Sequence, residues 1–550
     1  MRERAPEMGE IVLKVPAPAL VPVRSCAQGI IVLQSYIPTG QQLLGQKEYA
    51  WRGNLQFRRK KRSALVISHD SGASLPQTGL FIDGQWRPGA GVFPVHNPAD
   101  GSIVAEVANC NADHAREALD AAVRAQNDWG RLAPRARANL MHAAHRLMLE
   151  RETQFVRTMT RESGKPLTEA KAEFTLSADF LLWFAEQTAH IHGTYSNSSH
   201  GGFRVLTTYQ PVGPCLLITP WNFPLLMIVR KGGAALAAGC TTITKSAQET
   251  PLTCALFLEV LADAGFPKGV ANLLHTTNSS GVSETLLKDR RLRKVSFTGS
   301  TRVGSLLLRL GAENIVNSSM ELGGDGPFIV LDDADVDLAA EQAIICKFRN
   351  AGQACVAANR IIVDRKLEPE FTKKFVQKVS KLTVGDGMEP VDVGPMISAK
   401  QRDRLYDTLN DLKTAGGEIL IGGRAVQRPG YFFEPTVVRF DGPNEFVCSN
   451  ELFAPIATIF AVNGVGEALE FANNSNYGLA SYVFTRDLTR AIAVGERLEF
   501  GMVGINRGIM AEPAAPFGGI KASGIGREAG HDGIYEFLEQ KYMAITVGEP

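Results

Sequence analysis

An α/β fold built on parallel sheets is predicted for this chain from three observations. Short apolar or β-branched runs alternate with longer helical patterns from residue 212 to about residue 300, and the alternation restarts at residue 327; repeated strand–helix units of this kind form parallel sheets. The composition, 45% hydrophobic and 21% charged, is that of an ordinary globular protein. The 550 residues are more than one hydrophobic core organises, so two or three domains are expected.

Residues 1–78 differ in character from the rest of the chain. Their apolar stretch, 11–33, is broken by Pro16, Pro18, Pro22 and Arg24, which suits neither a secretion signal nor a membrane span. Glu3, Glu7 and Glu10 argue against a mitochondrial presequence, which avoids acids. The basic run Arg58-Arg59-Lys60-Lys61-Arg62 reads as a solvated tail in preference to a nucleic-acid or targeting patch. A disordered N-terminal extension is expected here, or the product of an upstream start codon.

Residues 79–107 carry alternating stretches around Asp83-Gly84 and Asn97-Pro98, the pattern of strands joined by turns. Asn111 precedes a helical spacing through Ala115, Leu119, Ala122 and Ala125. Helical segments follow at 135–162, closing near Gly164-Lys165-Pro166, and at 167–190. Residues 194–210 are polar and read as a hairpin excursion. The sheet pattern then begins: strand 215–219, a helix from Pro224, strand 241–244, helix 252–264, strand 271–275 and strand 294–297. Thr298-Gly299-Ser300 leads into a further helix. A second α/β unit runs through strand 327–331, helix 336–348 and strand 360–363.

A formal net charge of +1 gives no global field to draw nucleic acid or an acidic membrane, and no apolar run is long enough to cross a bilayer. The eight cysteines lack C-x-x-C spacing. Neither a metal site nor a disulfide scaffold is expected, and a reducing, cytoplasmic setting is.

Three segments carry chemistry. Pro-Trp-Asn-Phe-Pro at 220–224 supplies a side-chain amide at Asn222, Glu-Leu-Gly-Gly at 321–324 a carboxylate, and Gly-Gln-Ala-Cys at 352–355 a thiol. A thiol can attack an aldehyde carbon, an amide can hold the resulting oxyanion, and a carboxylate can activate the water that cleaves a thioester. Most intracellular cysteines are buried apolar side chains, but the loop formers at 349–353 set Cys355 apart from a core strand. Gly299 and Gly304 would let backbone approach a pyrophosphate at a helix N-terminus, although their spacing is not G-x-G-x-x-G and suits a structural turn equally.

Together these motifs resemble the aldehyde dehydrogenase family from about Gly79 to the C-terminus. The resemblance implies a Rossmann-like coenzyme domain, an α/β catalytic domain and a small β oligomerisation element. The coenzyme domain would take 79–193 and 212–321, the oligomerisation element 194–211 and 529–550, and the catalytic domain 322–528. It implies Cys355 as nucleophile, Asn222 and the Cys355 N–H as oxyanion donors, and Glu321 as the base for hydrolysis. Lys231 and Glu528 match residues that orient or relay protons to that base, though each could equally be a structural ion pair. Trp221, Lys245, Gln248, Gly299, Ser300, Glu451 and Phe453 match coenzyme-binding positions. Gln248 stands where NAD-preferring members carry Glu. A neutral amide does not repel a 2′-phosphate, so both NAD and NADP are admitted. Ser246 replaces a common Pro, and Ala454 a usual Gly. The run Phe517-Gly518-Gly519 with 521–528 matches a long family motif of tight turns at a subunit contact. A small-molecule aldehyde substrate and a homodimer or homotetramer are implied, with no metal, nucleic acid or membrane partner.

Residues 347–350, 501–506 and 536–542 resemble the succinate-semialdehyde branch, which grips its substrate's carboxylate with two Arg and a Ser. Here those positions hold Arg349, His190 and Ala511, with Arg507 nearby as a compensating cation. Arg binds a carboxylate bidentately, which His does not reproduce. The branch's redox cysteine position holds Ala357, so that switch is expected to be absent. The expected reaction is NAD(P)-dependent oxidation of succinate semialdehyde or a related acid semialdehyde. The alternatives are a neutral or aromatic aldehyde, a CoA-acylating reaction, which Glu321 opposes, and a non-catalytic structural protein of the same fold, which Asn222, Glu321 and Cys355 oppose.

Overall fold

The computed structural model describes residues 75–448 and 450–548. The expected extension 1–78, with its basic run Arg58-Arg59-Lys60-Lys61-Arg62, lies outside these residues except for 75–78. Among the described residues no helix is long and apolar enough to cross a membrane.

Two parallel sheets organise the chain. The first has eight strands in the order Gly524–Ile525, Asn317–Glu321, Lys294–Thr298, Cys215–Ile218, Thr242–Lys245, Ala271–Leu274, Leu80–Ile82 and Gln85–Arg87. The five strands from Asn317–Glu321 to Ala271–Leu274 are mutually parallel. Their residues are almost all buried, as expected of strands covered on both faces by helices. The chain builds outward from Cys215–Ile218 in one direction, then returns to add Lys294–Thr298 on the other side. That reversal opens a crevice at the carboxyl ends of these two strands, where α/β sheets bind ligands. Asn222, Gly299 and Ser300 follow those two ends directly, and Glu321 ends the next strand.

The second sheet is ordered Glu418–Ile421, Thr436–Phe440, Ile456–Val462, Ala358–Asp364, Gly326–Val330, Ala480–Phe484 and Met502–Ile505, parallel except for its first strand. A third, antiparallel sheet pairs Leu538–Ile545 with Arg204–Pro211, and that strand with Thr194–Asn197. The short strand Gly524–Ile525 follows the second sheet in sequence but joins the first, beside Met320 and Glu321.

Two expected elements differ in detail. The segment 135–162 is two helices, Pro134–Glu150 and Glu152–Ser163, broken at Arg151, whose φ −104° and ψ 14° leave the helical region. The helix expected over 167–190 ends at Gln187, so His190 falls in the connection that follows.

Asp325 and Arg360 form an ion pair at 2.9 Å with both side chains 0% exposed. Arg360 also donates to the carbonyls of Phe471 and, at 3.0 Å, Ala472. The pair stitches the strand Gly326–Val330 and its neighbour Ala358–Asp364 to the end of the helix Gly464–Asn473. Removing one partner strands the other charge. Asp325→Ala is expected to cost about 3–5 kcal/mol of stability, seen in scanning calorimetry as a clear fall in Tm; an unchanged Tm would contradict it.

Candidate active site

Asn222 lies between the strand Cys215–Ile218 and the helix Pro224–Ala238. Pro224 takes the first helical position, where its missing N–H costs nothing and its fixed φ favours the turn. Cys355 follows the helix Val336–Phe348 after a run in which Asn350, Ala351 and Gly352 all have positive φ, at 53°, 54° and 71°. Such backbone is unfavourable for Asn and Ala and persists only where the surroundings impose it. Here the Asn350 N–H donates to Glu169 (2.8 Å), its side chain to the carbonyls of Asn222 (3.1 Å) and Gln353 (3.2 Å), and the Gln353 side chain back to the Asn350 carbonyl (3.0 Å). The Asn222 side-chain amide donates to the Gln353 carbonyl at 3.0 Å, joining the two loops directly.

Two glycines allow the close approach. A Cβ on Gly352 would sit 2.0 Å from the Ala454 carbonyl, and one on Gly324 would sit 2.2 Å from the Cys355 carbonyl. The second glycine of Glu-Leu-Gly-Gly is thus where the thiol loop crosses.

A cavity of about 380 Å³ opens over these loops. Its lining includes seven residues singled out from the sequence: Cys355, Asn222, Trp221, Gly299, Ser300, Glu451 and Phe453. Trp221 and Phe453 meet edge to face, ring centres 5.6 Å apart. Glu451 is partly buried, accepts from the Gly324 N–H (3.1 Å) and is pushed up to about 7, chiefly by burial. Ser300 caps the helix Thr301–Ala312 without a side-chain bond; the Val303 N–H donates to the Ser300 carbonyl (3.0 Å), which leaves the N–H groups of the cavity residues Thr301 and Arg302 to meet an anion. A larger cleft of about 1110 Å³ between the strand Gly91–His96 and the helix Ser279–Leu287 lies away from Cys355.

Glu321 is buried beside the cavity. Burial and then the Glu528 charge raise its carboxyl to about 8, against the pull of Arg230 and Lys231, and Oε2 has no hydrogen-bond partner. Burial would also raise Glu528, but Lys231 and Arg230, both paired with it, hold it below its usual value. Burial lowers Lys231, against the opposing Glu528 charge, and its Nζ donates to Ser296 at 3.1 Å. Burial, then the Glu321 charge, pushes the Cys355 thiol up to about 12.

The remaining positions lie off the cavity lining. Lys245 is buried, contrary to the solvated role usual for a lysine at a strand end, and donates to the Ser246 carbonyl (3.0 Å) and Ser279 hydroxyl (3.1 Å). Gln248 is exposed. The Arg349 guanidinium lies 5.4 Å from the centre of the Phe223 ring, and Phe223 does line the cavity. His190 is exposed with its ring 6.2 Å from His192, and Arg507 is exposed with its side chain donating to the Ile509 carbonyl (2.7 Å). Sequence reasoning missed Arg230, the second cation on Glu528, which also stacks 3.9 Å from the Phe517 ring centre. It missed Gln401, Arg404 and Tyr477 on the cavity wall as well. Arg230 adjoins Lys231, which is a usable signal; the other three come from distant segments with none.

A thiol and a side-chain amide meet in this cavity with a buried carboxylate beside it, and comparison with known proteins places the chain in a family. The aldehyde dehydrogenase family matches residues 86–543, and the chain belongs to that family as an NAD(P)-dependent oxidoreductase. The chain is 45% identical to the succinate-semialdehyde dehydrogenase of Paenarthrobacter nicotinovorans over 81% of its length and 99% of that protein. It is 41% identical to the glutarate-semialdehyde dehydrogenase of Pseudomonas aeruginosa, covering 86% of this chain and 98% of that one. The crystal structure of succinate-semialdehyde dehydrogenase from Burkholderia pseudomallei superposes with a TM-score of 0.85 at 37% identity, covering 87% of this chain and 100% of that one.

Burial sets the thiol well above an unperturbed cysteine near pH ~8.5. In the coenzyme-free protein, iodoacetamide alkylation of Cys355 is expected to keep rising with pH across the alkaline range. Glu321→Gln, which removes a neighbouring negative charge, should shift that rise to lower pH. A plateau below about pH 9 would contradict this reading.

Proposed function

We propose that the chain oxidises succinate semialdehyde, or a related acid semialdehyde, to the dicarboxylate through a thioester on Cys355. The carrying observation is that Cys355 and Asn222 share one cavity with Glu321 buried beside it. The Cys355 thiol gives up its proton to solvent as its sulfur adds to the aldehyde carbon, and the oxyanion is held by the Asn222 amide and the Cys355 N–H. The residues fit a nicotinamide coenzyme: uncapped helix donors after Ser300 suit its phosphates, Glu451 its ribose, and Trp221 and Phe453 an aromatic face. When bound, the coenzyme accepts the hydride that the aldehyde carbon loses. Glu321 then takes a proton from water, which attacks the thioester carbon and releases the acid and the Cys355 sulfur. Lys231 and Glu528, with Arg230, set the charge around that base.

For the acid group, Arg349 is the proposed anchor. Among the described residues its guanidinium has no hydrogen bond or ion pair, while it stands against the cavity residue Phe223. With His190 and Arg507 exposed, Arg349 is the one cation left of the three expected to meet the acid group, which favours a neutral or aromatic aldehyde as the second reading. Either NAD or NADP is admitted, because Gln248 carries no charge. The three-stranded sheet offers Tyr195, 63% exposed, and Tyr542, 55% exposed, to a second copy in a homodimer or homotetramer. A cytoplasmic setting accords with the seven described cysteines, all free thiols.

Glu321→Gln should release a burst of reduced coenzyme followed by slow turnover, because acylation survives and hydrolysis does not. In the wild type, thioester hydrolysis should rise with pH through about 8, where the buried carboxyl ionises and can accept water's proton. A variant that loses the burst itself would contradict the assignment.

Arg349→Ala should raise KM for acid semialdehydes by roughly ten- to a hundredfold, the equivalent of a charge-assisted hydrogen bond of about 1.5–3 kcal/mol. KM for a neutral aldehyde of similar length should change little. Equal effects on both would favour the neutral-aldehyde reading.

A further inference from the structure

Gly164-Lys165-Pro166 joins the helices Glu152–Ser163 and Leu167–Gln187, and its sequence suggests only a chain turn. In the structure the Lys165 side chain is 1% exposed, a costly place for an ammonium group. Its Nζ donates to the main-chain carbonyl of Asn222 at 2.7 Å and lies 4.4 Å from the centre of the Phe223 ring. It also pairs with Glu173, whose side chain is likewise 1% exposed. The other Glu173 oxygen accepts from the N–H groups of Leu225 (3.0 Å) and Leu226 (3.1 Å), in the first turn of the helix Pro224–Ala238. One buried ion pair therefore grips the segment 222–226 at both ends, through the Asn222 carbonyl on one side and the helix start on the other.

Stability alone does not call for this arrangement, since a buried ion pair is often no more stabilising than apolar side chains of the same size. What it adds is direction. The Asn222 carbonyl takes a second bond from the Asn350 side chain at 3.1 Å, so both its lone pairs are filled. Turning that peptide would break a charge-assisted bond and leave one donor of a buried ammonium without its acceptor. The Asn222 side chain springs from the same residue and donates one N–H to the Gln353 carbonyl at 3.0 Å. With main chain and one amide hydrogen fixed, the direction of the other amide hydrogen is set.

We infer that Lys165, held by Glu173, is a positioning residue for the oxyanion site, fixing the Asn222 peptide so that its free amide hydrogen points where charge develops on the substrate. This rests on the proposed oxyanion role of Asn222. Aldehyde addition needs that role, whereas alkylation of the thiol by iodoacetamide creates no oxyanion.

The test is a double-mutant cycle on the full-length enzyme. Lys165→Met should lower kcat/KM by roughly ten- to a hundredfold, below the ~10²–10³ seen when an oxyanion donor is removed outright. Its iodoacetamide alkylation rate at Cys355 should stay within about twofold of wild type, since no oxyanion forms there. In an Asn222→Ala background the further loss should vanish, because the residue through which Lys165 acts is gone. An additive loss there, a parallel fall in alkylation, or full activity of Lys165→Met overturns the inference. Full activity of Asn222→Ala alone would instead overturn the oxyanion reading beneath it. If Lys165→Met does not fold, the cycle is run with Lys165→Arg, whose wider head group shifts the Asn222 peptide. A loss that persists beside Asn222→Ala, or no loss at all, is then the overturning result.

Discussion

The site depends on the Gln353 carbonyl, which takes hydrogen bonds from the side chains of both Asn222 and Asn350. Asn222 belongs to the crevice of the first sheet and Cys355 to the loop that enters the second. Neither sheet contains a site by itself. Asn350 and Ala351 are held in left-handed backbone, each at a cost of about 1–2 kcal/mol, and bonds worth about 1 kcal/mol apiece offset it. The same bonds keep the amide and the thiol on one cavity wall.

The second organising effect is electrostatic. Two buried carboxylates lie close enough to repel each other, and their surroundings drive their proton affinities apart. Glu321 has no hydrogen-bond partner on one oxygen and is raised to about 8; Glu528 is paired with two cations and held low. Separating two like groups in this way assigns them different work. Glu321 can exchange a proton near neutral pH, while Glu528 stays a fixed charge beside Lys231 and Arg230.

Much of this was legible in the sequence where the signal is local. Alternating apolar runs marked the two parallel sheets, and the three short motifs named the thiol and amide that line one cavity and the carboxylate buried beside it. Long-range placement was not legible. Motif alignment put His190 at the substrate, but the helix Leu167–Gln187 ends three residues earlier and leaves it exposed. Arg404 and Tyr477 reach the cavity from elements that only tertiary packing brings close. The continuous helix expected over 135–162 failed at Arg151, where hydrophobic spacing carried across a backbone break that no Gly or Pro marks. Lys165 looked like part of a turn, because a sequence does not show that a lysine is buried against a particular carbonyl.

If an acyl group passes through the Cys355 sulfur, peptide mass spectrometry will find it there. The Glu321→Gln protein, which retains the thiol but lacks the base, would be mixed with NADP and succinate semialdehyde and quenched in acid. A peptide containing Cys355 and heavier by one succinyl group is expected, and it should be absent when the coenzyme is omitted. Reduced coenzyme formed with no adduct on Cys355, or with the adduct on another residue, would contradict the mechanism.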